Sequence, residues 1–304
     1  MPHVKLVDQH FLIMSPKLHF ILGQTGTGKT ARATALAREC GGALVNCDSR
    51  QVYRKLDIIT GKTDNPNDIP MHMVNVIDPK EPYSAYAYAT QANNIIANII
   101  EQGVSAIVVG GSGPYARMLL YADRAALQTT KETTSLAASS STSVSDMQKI
   151  VQNQAPHVWE NMSESDRHNP RRLARALEKV NENSNQHTLI RPYSTNTIAT
   201  RYKPSITILL HKDTATMAQR IERRVRQRIE DGAIAECEAL LAQHYIPTHP
   251  GLMTIGYQSV FRFLEGTITH DELMCEWSAK ERQYAKRQKT YLLKYFPQAH
   301  ILFV

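Results

Sequence analysis

Residues 18–30, LHFILGQTGTGKT, decide the fold of this chain. The apolar run over 18–22 predicts a buried strand, and the residues from Lys29 onward predict a helix that ends before Gly41 and Gly42. Between strand and helix, GQTGTGKT has the Walker A spacing, in which glycines let backbone N–H groups converge on phosphate oxygens. Residues 23–30 are therefore predicted to bind a phosphorylated small molecule.

Each residue of this phosphate loop is a candidate ligand of the phosphate groups. Lys29 adds a positive charge, Thr30 can ligate Mg²⁺, and the N-terminus of the following helix further favours an anion. A glycine-rich turn that matches by chance is the alternative, and the strand before the loop and the helix after it argue against it. The predicted phosphate-binding residues are Gly23, Gln24, Thr25, Gly26, Thr27, Gly28, Lys29 and Thr30.

Strand and helix patterns alternate through the first part of the chain. Apolar strands are predicted at 43–45, 105–109 and 206–210, a helix at 85–102, and the strand at 105–109 runs into Gly-Gly-Ser-Gly at 110–113. From residue 214 onward the pattern is helical, with helices predicted at 217–243, 257–264 and 270–295. The fold class is therefore α/β, a parallel sheet that carries the phosphate loop and has helices on both faces.

A change of composition divides the chain. Residues 129–145 are dominated by Ser and Thr, and helical patterns follow at 146–153 and 171–180 before a polar stretch to 196. We expect an N-terminal extension without assigned function over 1–17, a core that carries the phosphate loop over 18–126 and 201–304, and a small helical insertion over 127–200.

Charge and cysteine content limit the class of protein. The 35 Lys and Arg against 28 Asp and Glu give a net charge of +7, which favours a polyanionic partner without demonstrating one. The four cysteines have neither zinc-site nor disulfide-framework spacing, so they are predicted to be reduced thiols. No apolar stretch approaches the roughly 20 residues that span a bilayer. A soluble, cytoplasmic protein without a membrane partner is expected.

The acidic residue nearest the phosphate loop argues against simple ATP hydrolysis. Nucleoside triphosphatases generally hold Mg²⁺ with an Asp at the end of a second strand. Here the strand at 105–109 ends in Gly-Gly-Ser-Gly, and Asp48, after the strand at 43–45, is followed by Ser-Arg-Gln-Val-Tyr. This cluster of hydrogen-bonding side chains suits an organic substrate better than a metal alone.

Eight segments resemble the tRNA dimethylallyltransferases, also called tRNA isopentenyltransferases. They occur in the order of that family and cover most of the chain except its N-terminus and the Ser/Thr-rich stretch. The segments are GQTGTGKT at 23–30, DSRQVY at 48–53, DIITGK at 57–62, VIDPKEPYSA at 76–85, VVGGSGPY at 108–115, RRLARALE at 171–178, TIGYQS at 254–259 and RQYAKRQKTY at 282–291.

The resemblance implies a reaction and its partners. The family transfers a dimethylallyl group from dimethylallyl diphosphate to N6 of the adenosine immediately 3′ of the anticodon of tRNA, position 37, with Mg²⁺. Its fold is similar to that of P-loop kinases, with a helical insertion that grips the anticodon stem-loop. A monomer is expected.

The resemblance also implies the roles of individual residues. Asp48 is the base that takes the proton of the amine, Lys29 and Thr30 stabilise the departing diphosphate, and Ser112 stands where the family usually has Thr and keeps a hydroxyl. Arg223, in a cluster with Arg220 and Arg224, is expected to reach the diphosphate. The expected tRNA contacts are Asp48, Ser49, Arg50, Gln51, Ser112, Arg171, Arg172, Leu173, Ala174, Arg175, Arg282, Lys286 and Arg287.

Four other interpretations remain open for parts of this assignment. An adenylate isopentenyltransferase shares the loop and the Asp but acts on a free nucleotide, and a P-loop kinase would transfer phosphate from ATP. A non-catalytic or weakened RNA-binding homologue is conceivable because the insertion has lost most of the family's pattern. The helix predicted over 282–295 has a basic half, which either meets phosphates or is an ordinary solvated face, and a second half that packs. The basic half carries Arg282, Lys286, Arg287, Lys289 and Lys294, and the packing half carries Tyr284, Tyr291, Leu292 and Tyr295.

Overall fold

The computed structural model describes residues 16–62, 69–122, 143–168, 172–173, 176 and 196–304. The chain divides into two compact units, one formed by Met1–Arg124 with Pro192–Val304 and the other by Ala125–Arg191. The predicted insertion, 127–200, overlaps the second unit. No helix among the described residues is both long and apolar enough to cross a bilayer.

A six-stranded sheet organises the first unit. The strands lie in the order β3-β2-β4-β1-β5-β6, and every neighbouring pair is parallel. The predicted parallel α/β fold is confirmed. The strands are β1 (Leu18–Gly23), β2 (Ala43–Asn46), β3 (Met71–His72), β4 (Ala106–Gly110), β5 (Ser205–Leu210) and β6 (His300–Phe303).

Helices connect and cover these strands. In the first unit they are α1 (Lys29–Cys40), α2 (Ala85–Glu101), α3 (Gly113–Tyr121), α7 (Ile198–Tyr202), α8 (Thr214–Glu230), α9 (Ala233–Ala242), α10 (Tyr257–Leu264) and α11 (His270–Tyr295), with a 3₁₀ turn at Pro250–Met253. The second unit contains α4 (Val144–Gln154), α5 (Pro156–Glu160) and α6 (Glu164–Arg167).

Apolar side chains cover both faces of the sheet. Ile21 of β1 and Leu44 of β2 pack in one cluster with Ala33 of α1. Successive side chains of a strand point to opposite faces, so Phe20 and Leu22 point away from α1, and both are buried as well. A strand buried on both faces is typical of a parallel sheet between two helical layers, which explains why 18–22 is a continuous apolar run.

Two features of the fold differ from the sequence prediction. The single helix predicted over 217–243 is two helices, α8 and α9, because Gly232 between them has a left-handed φ of 104° that interrupts the helix. The prediction that the chain is helical from residue 214 to its end is also wrong, because β6 pairs in parallel with β5 at the edge of the sheet. Four residues of strand give too short a pattern to separate from the end of a helix.

The arrangement of strands brings the candidate residues to one edge of the sheet. β1 runs into the phosphate loop, β2 is followed by Asp48, and β4 is followed by Ser112. These are adjacent strands, β2-β4-β1, and all of them point the same way. The carboxyl edge of a parallel sheet is where ligands bind in such folds, so the candidate site lies there.

Candidate active site

The phosphate loop has the backbone geometry that its glycines permit. Gly26 and Gly28 have φ values of 77° and 76°, in the left-handed region that other residues avoid. A Cβ on Gly23 would lie 2.2 Å from the carbonyl oxygen of Leu209, so only glycine fits beside β5. Lys29 Nζ folds back and donates to the carbonyl oxygen of Gln24 at 2.6 Å.

Side chains from distant parts of the chain hold this loop. Gln288 of α11 accepts from the backbone N–H of Thr25 at 2.8 Å, and Arg224 of α8 donates to Thr25 Oγ1 at 3.0 Å. The buried amide of Gln24 donates to the carbonyl oxygen of Ala285 at 3.0 Å and accepts from the N–H of His211 at 2.9 Å. Gln24 therefore acts in the structure as an anchor of the loop, with its side chain directed into the protein.

Asp48 lies in a tight turn directly after β2. Asn46 Oδ1 accepts from the backbone N–H of Asp48 at 3.1 Å, and Asp48 Oδ1 accepts from the N–H of Arg50 at 3.0 Å. Among the residues that the structure describes, none donates a hydrogen bond to Asp48 Oδ2. The turn thus fixes the carboxylate through one oxygen and leaves the other for a ligand.

Ser112 joins the end of β4 to the turn that carries Asp48. Its hydroxyl oxygen accepts from the N–H of Ser49 at 2.8 Å and donates to Ser49 Oγ at 3.0 Å, and its side chain is buried. Gly110 allows this approach, since a Cβ there would lie 2.0 Å from the carbonyl oxygen of Cys47. The structure therefore places Ser112 as a support of the Asp48 turn, and its predicted contact with a ligand remains a prediction.

Positive charges surround this edge of the sheet. Burial, followed by the charge of Arg224, lowers the pKa of Lys29 to about 8, and burial followed by Arg224 lowers the pKa of Arg228 to about 9. Two carboxylates, Asp48 and Glu281, act against this repulsion. Because these cations depress one another's pKa, a further anion such as a diphosphate would be stabilised beside them.

Arg224, the neighbour of the predicted Arg223, is the residue that bonds to the phosphate loop. Arg223 is exposed on α8, whereas Arg224 is half-buried and reaches Thr25. Adjacent residues of a helix are separated by about 100°, so only one of the two can face the loop. Arg224 is therefore a further candidate diphosphate ligand, and the role expected for Arg223 stays a prediction.

Gln51 contributes to the local fold in a way that the sequence did not indicate. Its Nε2 lies 3.3 Å from the carbonyl oxygen of Thr60 and 3.0 Å from that of Gly61. The two donors of the amide are thereby directed to the backbone. The predicted pairing of Gln51 with a base edge remains a prediction that would use the amide oxygen.

The long helix α11 has the two-sided character predicted for 282–295. Lys286 and Arg287 are exposed, and Arg282 is half-buried. Ala285 and Leu292 are buried on the opposite side. The predicted basic face therefore exists, and it is available to a polyanion.

Of the tRNA contacts predicted in the second unit, the structure describes two residues, Arg172 and Leu173. Leu173 is fully buried in an apolar cluster with Met147 and Val151, so the structure assigns it to packing. Arg172 is exposed, and its Nη1 lies 2.6 Å from Asp166 Oδ1. The remaining predicted contacts of this segment, Arg171, Ala174 and Arg175, lie outside the described residues.

A divalent metal would depend mainly on a bound substrate. Among the described residues no group of three or more His, Cys, Asp or Glu side chains could hold a metal ion. Thr30, the predicted ligand, is exposed in the first turn of α1. Mg²⁺ keeps several waters and commonly binds through one or two protein groups plus substrate phosphates, so a single hydroxyl beside a phosphate loop is compatible with it.

Three residues of the site are absent from the sequence prediction: Arg228, Glu281 and Gln288. Gln288 donates to the carbonyl oxygen of Gly111 at 3.0 Å while it also accepts from the phosphate loop. Arg228 follows Arg224 by four residues, the spacing of one helix face, and this periodicity could have identified it. Glu281 stands out as an acid inside a basic stretch.

The lowered pKa of Lys29 predicts how anion binding varies with pH. Lys29 is charged below about pH 8 and neutral above it, so the affinity for an alkyl diphosphate is expected to fall as the pH rises from 7 to 9. Calorimetric titration would measure this affinity. The Lys29→Met variant is the control, because it should bind weakly with little change over the same interval. An affinity of the wild type that is constant over this interval would contradict the assignment.

Comparison with known proteins places this site in a family. A family model described as "IPP transferase" matches residues 51–295, and one described as "Isopentenyl transferase" matches residues 16–75. Among curated proteins, the tRNA dimethylallyltransferase of Desulfosudis oleivorans is 32% identical over 290 residues, which cover 91% of this chain and 88% of that protein. The tRNA dimethylallyltransferase 2 of Geotalea uraniireducens is 33% identical over 291 residues, which cover 92% of this chain and 90% of that protein.

Solved structures agree with these relatives. The tRNA isopentenylpyrophosphate transferase of Bacillus halodurans is 27% identical with a TM-score of 0.63, and the match covers 95% of this chain and 89% of that one. A eukaryotic dimethylallyltransferase that acts on tRNA shares the fold, with a TM-score of 0.75 at 23% identity, over 94% of this chain and 74% of that one. The ordered motifs, the parallel sheet with its phosphate loop and these matches lead to one conclusion: this chain is a member of the IPP transferase family.

Proposed function

We propose that this protein transfers the dimethylallyl group of dimethylallyl diphosphate to N6 of adenosine 37 of tRNA, 3′ of the anticodon, and releases diphosphate. The observation that carries the proposal is the placement of Asp48 and the phosphate loop at the ends of β2 and β1, with the cations Lys29 and Arg224 close enough to interact with the Asp48 carboxylate. The names of the relatives support tRNA as the acceptor.

The donor side of the site would hold the leaving group. As the bond between the allylic carbon and oxygen breaks, negative charge develops on the diphosphate, and fixed cations stabilise that charge. Lys29 and Arg224 are cationic side chains that bond to the phosphate loop. We infer that the loop N–H groups and these cations bind the diphosphate. The hydroxyl of Thr30 would help to hold a Mg²⁺ ion, which would add positive charge beside the leaving group.

The acceptor side would hold the adenine amine against Asp48. The lone pair of N6 is delocalised into the ring, so the amine is a poor nucleophile and benefits from a base that removes its proton as the new bond forms. In the proposed step N6 bonds to the allylic carbon, diphosphate departs with the electrons of the broken bond, and Asp48 takes the proton. Its Oδ2 is the oxygen left open by the turn.

The tRNA would present a single flipped nucleotide. A base stacked in the anticodon loop cannot reach a buried diphosphate, so adenosine 37 must leave the stack. The exposed Lys286 and Arg287 on α11 would then contact the phosphates of the stem-loop. Arg172, in the second unit, is a further proposed contact.

A comparison of acceptors tests the function. Purified protein would be incubated with radiolabelled dimethylallyl diphosphate and either unmodified tRNA or AMP, with Mg²⁺. We expect label in tRNA and none in AMP. Label in AMP alone would identify an adenylate isopentenyltransferase, and ATP turnover without transfer of label would identify a kinase.

Charge reversal at Arg287 tests the proposed tRNA surface. We expect Arg287→Glu to weaken tRNA binding and to lower the slope of log affinity against log salt by about 1 or more, because a phosphate contact and its counterion release are lost. Affinity measured over a salt series would show this. Arg226→Glu, at an exposed position of α8, is the matched control. Equal effects of the two variants would indicate that Arg287 belongs to an ordinary solvated face.

A further inference from the structure

Glu281 is an acidic residue buried within the most basic stretch of α11. Its side chain is only 4% exposed, and its Oε1 lies 3.1 Å from Arg50 Nη1 and 3.6 Å from Arg228 Nη1. One carboxylate oxygen thus forms ion pairs with two guanidinium groups that come from different parts of the chain. The other oxygen, Oε2, is buried and has no hydrogen-bond partner among the described residues.

Arg50 packs against Tyr284 beside the candidate base. Its guanidinium carbon lies 3.9 Å from the centroid of the Tyr284 ring, and its backbone N–H donates to Asp48 Oδ1 at 3.0 Å. Its side chain remains 15% exposed. The guanidinium therefore packs against the Tyr284 ring while part of the Arg50 side chain stays accessible. Nucleic-acid bases stack readily on guanidinium groups.

Arg228 is fixed from its other side as well. It is 6% exposed, and a Cβ on Gly61 would lie 2.7 Å from its Nη2, so the guanidinium fills the space that the glycine leaves. Arg224 Nη2 lies at the same distance from that position. Two cations thus meet at one glycine, and Glu281 is the buried anion beside them.

We propose that Glu281 and Arg228 are positioning residues, which hold Arg50 against Tyr284 so that its accessible part stacks on the adenine presented to Asp48. This inference rests on the proposed function, because it takes adenine as the acceptor base. Glu281 supplies the bond that orients Arg50, and Arg228 keeps the shared carboxylate oxygen in place. A guanidinium freed from this pair would turn on its flexible stem and lose the stacking geometry.

A base-deletion measurement isolates the stacking contact. Two anticodon hairpins would be compared, one with adenine at the reacting position and one with an abasic nucleotide there, and the ratio of their affinities measures contact with the base. We expect Arg50→Met, Glu281→Gln and Arg228→Met each to reduce this ratio about tenfold, within the range of base stacking on protein side chains. Affinity for an alkyl diphosphate should fall much less in Glu281→Gln than the ratio does.

Double variants decide whether Glu281 and Arg228 act through Arg50. If they do, adding Glu281→Gln or Arg228→Met to Arg50→Met lowers the ratio no further. Losses that multiply in the double variants would overturn the proposal. So would a ratio in both single variants equal to that of the wild type.

Matched controls separate positioning from general effects on the fold. Arg226 and Glu222 form an exposed pair on α8, with Nη2 and Oε1 3.4 Å apart, so Arg226→Met and Glu222→Gln remove the same groups without touching the site. Both should keep the wild-type ratio. Thermal melting would show whether Glu281→Gln folds, and Arg228→Met tests the proposal if it does not. The hairpin measurement reports binding and does not depend on prenyl transfer. If the affinity ratios behave as expected but no prenyl group is transferred, the proposed reaction is contradicted and the positioning role is not.

Discussion

Replacement of Asp48 by asparagine is expected to lower kcat for prenyl transfer about 10²- to 10⁴-fold, the usual contribution of a general base. The amide has nearly the shape of the carboxylate but cannot take the proton of N6. Asparagine keeps an Oδ1 that accepts from the N–H of Arg50, which is bonded at 3.0 Å in the wild type, so the turn should be preserved. The affinity for tRNA should change little.

Single-turnover transfer with saturating tRNA and donor would measure this effect. The control is Asp231→Asn, at an exposed position at the end of α8, which should transfer at the wild-type rate. A rate in Asp48→Asn equal to that of the wild type would exclude Asp48 as the base. The reaction would then require another acceptor for the proton.

Replacement of Lys29 by methionine is expected to lower kcat/KM for dimethylallyl diphosphate about 10²- to 10³-fold, similar to the loss of one preorganised group at a developing charge. The ammonium lies in the loop that would receive the diphosphate, and its bond to the carbonyl oxygen of Gln24 fixes its direction. Methionine is unbranched and one atom shorter than lysine, so it keeps most of the length of the side chain and removes its charge.

Steady-state kinetics with varied donor, together with direct tRNA binding, would test this prediction. Lys29→Met should leave tRNA affinity close to the wild-type value, because the tRNA surface proposed on α11 is unchanged. Lys212→Met, at an exposed position just after β5, is the matched control. If donor kinetics in Lys29→Met matched those of Lys212→Met, the phosphate loop would not be the diphosphate site.

The sequence was most informative where local chemistry decides local structure. The run 18–22, the glycines at 26 and 28 and the helix from Lys29 belong to one short segment, and the predicted strand, loop and helix are all present. The helix predicted at 270–295 has the same bounds as α11, because Thr269 caps its start and Pro297 follows its end.

The parts that the sequence could not predict depend on contacts between distant residues. Gln288 and the Thr25 that it bonds are 263 residues apart in the sequence. Glu281 and its partner Arg50 are 231 residues apart. Nothing in either segment by itself indicates its partner. The choice between Arg223 and Arg224 depends on the rotation of α8 about its axis, which only packing determines.

Asp48 and the phosphate loop are proposed to act together in attaching a prenyl group to one adenosine of tRNA. The most direct test is to digest tRNA after incubation with the protein, dimethylallyl diphosphate and Mg²⁺, and to measure the masses of its nucleosides and the position of the change. We expect one adenosine, immediately 3′ of the anticodon, whose mass increases by a single dimethylallyl group in place of hydrogen. Unchanged nucleosides, or a prenyl group on another base, would contradict it.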